Sequence, residues 1–213
     1  MTTCGGDDGD TAHGHAHATR ARVAVAYSYA RTVLSFGGDV RADFSRHAVV
    51  VSGEMPVGAR GVAQIGAGGI ADGSLDTDEA HSMGPGWLAF GAYAYRLVDE
   101  RGAWPFVLGS VTAGASAART VSARGESAHF TAYDVRGGLT LGKTWGPVTP
   151  YVAGRLFGGP VLWTQRGEAL TGTDKFHYQP AVGLVLSLAP VDFSVEWAFA
   201  GERAVTAGAG IAF

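Results

Sequence analysis

Three histidines stand at every second position in "HGHAHA": His13, His15 and His17, with Asp7, Asp8 and Asp10 just before them. Imidazoles at this spacing on a flexible chain can chelate Zn, Cu or Ni, with the carboxylates helping. The tail that carries them, "MTTCGGDDGDTAHGHAHATR", has no apolar run that would fix a coordination geometry. No resident cofactor is therefore expected, and the histidine tract is the candidate metal site. Cys4 is the single cysteine, which rules out an internal disulfide. A second set of chemical groups lies far apart in sequence: Arg22, Glu54, Asp134, Arg136, Arg155 and Glu196, with Arg96 less clearly in phase. Charges held away from water must pair. The remaining histidines, His47, His81, His129 and His177, each fall at or just before a segment running in one direction. They would gather at one rim, as solvated polar residues or, less simply, as ligands or a catalytic base.

The elements that must position these groups are strands. "VDFSVEWAFAG" sets Val191, Phe193, Val195, Trp197 and Phe199 against Asp192, Ser194, Glu196, Ala198 and Ala200. "HYQPAVGLVLSLAP" sets Tyr178, Val182, Leu184, Leu186 and Leu188 against Gln179, Ala181, Gly183 and Ser187. "TAYDVRGGLTLGK", "RVAVAYSYA", "AVVVSGEMPV" and the final "RAVTAGAGIAF" alternate in the same way. A period of two means one apolar face and one small or polar face. Where these strands carry a member of the charged set (Arg22, Glu54, Asp134, Arg136, Glu196), it falls on the polar face. The bulky members Leu184, Leu186, Val195 and Trp197 define the opposite one.

Composition says which face meets what. Charged residues are 16% of the chain, against about 25% in ordinary soluble domains, and Gly is 33 of 213 residues. The net charge of -3 gives no basic footprint for nucleic acid. No apolar run approaches the ~20 residues of a spanning helix; "WLAFGAYAY" is the longest. A soluble barrel would carry Lys, Arg and Glu on its polar face. Here that face is mainly Gly, Ala, Ser and Thr. About ten strands are expected, joined alternately by short turns ("GAR", "DERGA", "WGPV", "APVD") and longer stretches ("RTVLSFGGDVRADFSR", "DGSLDTDEAHSMGPG", "ARGES", "TQRGEALTGTD"). "GERA" is the one short connection on the long side. The expectation is all-β: a transmembrane up-and-down antiparallel barrel over residues 20–213, with ten strands or, alternatively, eight. Residues 1–19 form a separate tail.

The last strand ends on Phe213 after an alternating apolar row. That pattern resembles the C-terminal signature of bacterial outer-membrane β-barrel proteins. The resemblance implies an outer-membrane location in a Gram-negative-type bacterium, export by a signal peptide, and Phe213 as an assembly signal read by the barrel-assembly machinery. "TTC" before "GGDDGD" resembles a lipoprotein junction, with Cys4 as the acylated residue, although Met1 stands where a leucine is usual. Two enzyme families of that membrane resemble the chain less. An omptin-type protease relies on paired acids and a His–Asp couple; "DTDEAH" (Asp76, Asp78, His81) echoes the composition, but no second couple follows. A lipid A deacylase places His and Ser together on a strand, and "HYQPA" at His177 has no such Ser.

No enzyme activity is therefore expected. The six charges should line a narrow lumen, with Arg136, Arg155 and Glu196 clustered across it. The first functional expectation is a narrow, porin-like channel for small solutes or ions. The alternative is a non-conducting structural or surface-interaction barrel, with a rim hydrolase or metal-handling protein behind it. Lipid and the assembly machinery are the expected partners of a monomer.

Overall fold

The structure is a computed structural model, and it describes residues 20–37, 40–165 and 168–213. Twelve antiparallel strands follow one another: β1 (Arg22–Phe36), β2 (Arg41–Val57), β3 (Gly61–Asp76), β4 (Ala80–Val98), β5 (Phe106–Ser122), β6 (Ser127–Gly142), β7 (Val148–Gly158), β8 (Val161–Gln165), β9 (Glu168–Asp174), β10 (Tyr178–Leu188), β11 (Val191–Ala198) and β12 (Arg203–Ala212). Ten of them form a closed ring in the order β1 to β7, β10, β11, β12. The seam runs from Arg22↔Ala212 to Arg31↔Arg203, ten residue pairs, and the Phe213 amide extends it by donating to the Ala21 carbonyl at 3.0 Å. Among the described residues closure leaves no edge strand, which a barrel in lipid requires because hydrocarbon offers backbone groups no partner.

β8 and β9 make a second closure above the first. β7 pairs with the inner part of β6 and stops at Gly158; after Gly159 and Pro160, β8 pairs with the outer part of β6 through His129 to Ala132. Gly159 lies so close to the Tyr133 carbonyl that a side chain there would collide with it. β9 returns along β8 and joins β1 through Leu34↔Asp174, Ser35↔Thr173 and Phe36↔Gly172. The β8–β9 hairpin thus straps across the tops of the short strands β10, β11 and β12. Above them the ring has eight strands: β1 to β6, β8 and β9.

The two rings have opposite polarity. Around the ten-stranded ring the outward residues are bulky and apolar, among them Val25, Val51, Ile65, Leu139, Val152 and Val195. Tyr27, Trp87, Tyr133, Tyr178 and Trp197 edge this belt toward the strap; Tyr93, Tyr95, Trp104, Trp145 and Phe213 edge it at the terminal end. Its inward residues are small or polar. In the eight-stranded ring the inward residues are instead apolar. Leu34, Phe36, Phe44, Leu75, Met83, Phe130 and Trp163 form a dry core, and the Trp163 indole donates to Thr120 Oγ1 at 3.0 Å. Outside that core lie Arg31, Asp43, Ser45, Ser74 and Asp76.

The expected long outer stretches are therefore mostly strand. β1 to β6 run 15 to 19 residues, well past the 9–11 that a membrane crossing needs. Their outer halves stand beyond the apolar belt and fold as an ordinary water-facing barrel.

Candidate functional site

Alternation aims one residue in two into the ten-stranded ring. On β6, β7, β10 and β11, which are neighbours in the sheet, this brings Asp134, Arg136, Tyr151, Arg155, Gln179 and Glu196 onto one wall. Glu202 joins them from the β11–β12 turn, where Gly201 takes a φ of 68° that other residues avoid. Arg136 donates to both Glu202 oxygens at 2.7 and 3.0 Å and also pairs with Asp134. Gln179 Nε2 donates to Glu202 Oε1 at 2.7 Å, and its Oε1 accepts from Arg155 at 3.0 Å. Arg155 closes a two-pronged pair with Glu196 at 2.7 and 2.6 Å, and Tyr151 donates to the same carboxylate at 3.0 Å. One hydrogen-bonded chain thus runs from Asp134 to Tyr151. Such planar Arg–carboxylate pairs are the strong form of ion pair, and a chain of them fixes each member's geometry.

Gly183 makes the last link possible. It lies between Glu196 and Tyr151 in the register, and a Cβ there would meet the Tyr151 ring. Without one, Tyr151 lies over β10 and reaches the carboxylate on β11.

A second group closes the terminal end. Arg22 stands 3.7 Å from Glu54 and 3.5 Å from Asp192, and Gln64 donates to Glu54 at 3.2 Å and to Ser52 at 3.1 Å. Arg96 pairs with Asp99 at 3.7 Å, at the β4–β5 turn.

Between these groups the lumen holds two stacked cavities. The one toward the termini, about 400 Å³, is walled by Arg22, Ser52, Glu54, Gln64, Thr140 and Thr149 among others. The one toward the strap, about 340 Å³, is walled by Thr32, Arg46, Ser116, Asp134, Arg136 and Asp174 among others. Ser28, Phe90, Thr112, Arg155, Glu196 and Thr206 line both. Burial pushes the Asp174 carboxyl, at the end of β9 beyond the apolar belt, up to about 6; nearby Glu202 adds to the rise, and the Thr32 hydroxyl, donating at 3.0 Å, opposes it.

All six lumen charges read from the sequence point inward, but they do not form one cluster across the lumen. Arg22 and Glu54 sit at the terminal end; Asp134, Arg136, Arg155 and Glu196 share one wall, and Arg136 reaches the Arg155–Glu196 pair only through Glu202 and Gln179. Glu202, Arg46 and Asp174 lie in segments whose sequence reads as loop or turn. Phase with Ala48 along β2 was the one signal for Arg46.

Leu184, Val195 and Trp197 are exposed on the outer wall, and Leu186 is half-buried there between Val148 and Phe193. Phe213 is 70% exposed at the end of the seam. The four later histidines make no ring. His81 is buried, edge-on to Trp163 at 4.9 Å, whereas His129 and His177 are exposed. His47 lies outside the wall, 2.5 Å from the Tyr27 hydroxyl and 4.0 Å from Asp72. Cys4, His13, His15 and His17 lie outside the described residues. Among the described residues no three His, Cys, Asp or Glu are placed to hold a metal.

The fold is similar to that of known structures. The translocator domain of the autotransporter NalP from Neisseria meningitidis superposes with a TM-score of 0.54 at 14% identity, over 92% of this chain and 89% of that one. The outer membrane protease OmpT from Escherichia coli gives 0.58 at 8% identity, over 91% and 97%. The fold is that of a bacterial outer-membrane β-barrel. A barrel of this kind with such a belt belongs to the outer membrane, its terminal end periplasmic and its strapped end outside. The transport unit of the autotransporter AIDA-I from Escherichia coli also aligns, at a TM-score of 0.45 and 9% identity, over 91% and 90%. No family model matches the chain, and no curated protein matches it in sequence.

Proposed function

We propose that the chain is a narrow outer-membrane channel for small polar solutes or ions, held shut in this structure at its outer end. The observation that carries this reading is the lumen itself. Two cavities of about 400 and 340 Å³ share a polar waist at Arg155 and Glu196 and end under a strap. The strap is held unevenly. β9 meets β1 in three residue pairs, whereas β1 meets β2 in fourteen. Releasing β9 from β1 would uncover the outer cavity without breaking the ten-stranded ring.

A second reading rests on the dry core beneath the strap. Each large side chain buried there stabilises closure by about 1.5–3 kcal/mol. A barrel closed permanently by that core would conduct nothing and would act through its outer surface. Either way the ring closes on itself as a monomer, lipid surrounds its belt, and the assembly machinery is its partner during insertion.

Planar-bilayer recording separates the two readings. Replacing residues 162–174 by a short Gly/Ser linker should give steady conductance from a barrel that still inserts. A strap-less barrel that inserts and stays silent would leave the second reading.

A further inference from the structure

The outer cavity holds two charges that the lumen network leaves over. Arg46 projects from β2, on the wall facing the Asp134–Tyr151 chain, at a register position flanked by Ala30 and Gly73. Its guanidinium has five donors. It makes one long bond, 3.5 Å to Ser116 Oγ, and stands 6.0 Å over the Phe44 ring; among the described residues no carboxylate lies within 4 Å of it. Asp174 reaches the same cavity from β9 and accepts only from Thr32, with no cation within 4 Å among the described residues. Asp134, Glu202 and Glu196, the other acids on the cavity wall, are already taken by Arg136, Gln179 and Arg155. One cation and one anion therefore line a single cavity without an ion-pair contact among the described residues, although Glu202, Asp134 and Asp174 act on Arg46 from farther off.

The cavity's size is in the range of small-molecule sites, which run from about 300 to 1,000 Å³. Its wall is amphipathic, with Leu88, Phe90 and Ala115 beside Ser28 and Thr112. A charge held in such a space without a partner is costly. An ion of one sign would relieve one group and leave the other.

The geometry points to a binding site for a small zwitterion, its carboxylate held by Arg46 and its ammonium by Asp174, with a short carbon stem against Leu88 and Phe90. This rests on the reading of the lumen as a solute-accepting space, and it names the class of solute.

Calorimetric titration of the full chain in detergent tests the site with three probes: 4-aminobutyrate, butyrate and butylammonium. Saturable binding of 4-aminobutyrate at least tenfold tighter than either half-molecule is expected. Arg46→Gln should reduce that affinity to the level of butylammonium, and Asp174→Asn to the level of butyrate. Both variants are checked for the heat-dependent gel shift of a closed barrel, and Arg46→Lys should keep part of the affinity. Absence of saturable binding, equal affinity for butyrate and 4-aminobutyrate, or unchanged affinity in both folded variants would overturn the proposal. Conductance of the strap-less barrel is read separately. Because the strap-less barrel lacks Asp174, binding is read on the full chain: a conducting strap-less barrel with a full chain that binds no probe removes the zwitterion and keeps the channel, and a silent strap-less barrel with a full chain that binds 4-aminobutyrate keeps the site and removes the channel.

Discussion

Arg155 on β7 and Glu196 on β11 are joined by two hydrogen bonds, 2.7 and 2.6 Å, although β10 separates their strands. Gly183 on β10, in register with Glu196, carries no side chain there, so Tyr151 also reaches the same carboxylate at 3.0 Å. The pair forms the waist of the lumen, where the two cavities meet.

Glu196→Gln should leave Arg155 without its carboxylate and Tyr151 with a weaker acceptor. The expected cost is about 3 kcal/mol, the low end for breaking a buried pair. Replacing both residues, Glu196→Gln with Arg155→Met, should cost less than the single change, because no charge is then stranded. Urea unfolding in lipid vesicles measures both. Equal stability of Glu196→Gln and the parent would remove the waist as a structural lock.

Leu184 lies midway along β10 on the outer wall, in the apolar belt. Arg at a midplane position costs about 2–4 kcal/mol, falling to ~0–1 near the interface. Leu184→Arg should show the larger loss. Thr173→Arg, outside the belt on β9, should show almost none. The same unfolding assay compares them, and equal losses would misplace the belt.

Phe213 ends the seam, with its amide on the Ala21 carbonyl and its ring exposed at the inner edge of the belt. Deleting it removes one hydrogen bond, worth about 1 kcal/mol. Insertion in cells should fall several-fold if the assembly machinery reads the ring, while refolding of the purified chain into detergent should be nearly unchanged. Quantifying folded barrel in outer-membrane fractions gives the first result. Normal insertion would remove Phe213 as an assembly signal.

Asp174 carries a pH dependence of definite sign. Its folded-state value, about 6, lies above the ordinary aspartate value near 4. The neutral acid is therefore the form the fold favours. Its stabilising contribution is complete below about pH 4 and is lost as pH rises through 6. Asp174→Asn should remove this slope. The variant should be more stable than the parent above pH 6, by on the order of 2 kcal/mol. Thermal melting at pH 4, 6 and 8 checks it; a difference that does not change with pH would contradict the burial of this carboxyl.

The ten-stranded ring was legible because its strands keep one phase from end to end within the belt. Val23, Val25 and Tyr27 on β1 or Val195 and Trp197 on β11 alternate against small or polar partners. The outer ring was not legible, for two physical reasons. On β1 the phase continues through Thr32, Leu34 and Phe36, but the polarity reverses, so a reader expecting apolar residues outward meets Arg31 and Ser35 and stops the strand. On β3 and β4 the phase itself breaks. Register shifts near Ala48 and between Met83 and Gly86 move the inward set from Ile70 to Gly73 and Leu75, and from Met83 to Leu88. One extra residue turns every later side chain to the other face. Glu202 was hidden differently: it sits in a turn, where period two says nothing, and only the fold aims it inward.

The β9–β1 contact decides between a channel and a sealed barrel. Ser35 and Thr173 are directly paired across it. In a Cys4→Ser background, Ser35→Cys with Thr173→Cys should form a disulfide that fixes the strap to β1. Single barrels recorded in one planar bilayer, before and after adding reductant, give the most direct measurement. The account predicts silence while the disulfide is intact and resolved openings once it is reduced. Silence in both states, with the freed thiols shown by labelling, would contradict it, as would openings that persist while the strap is locked.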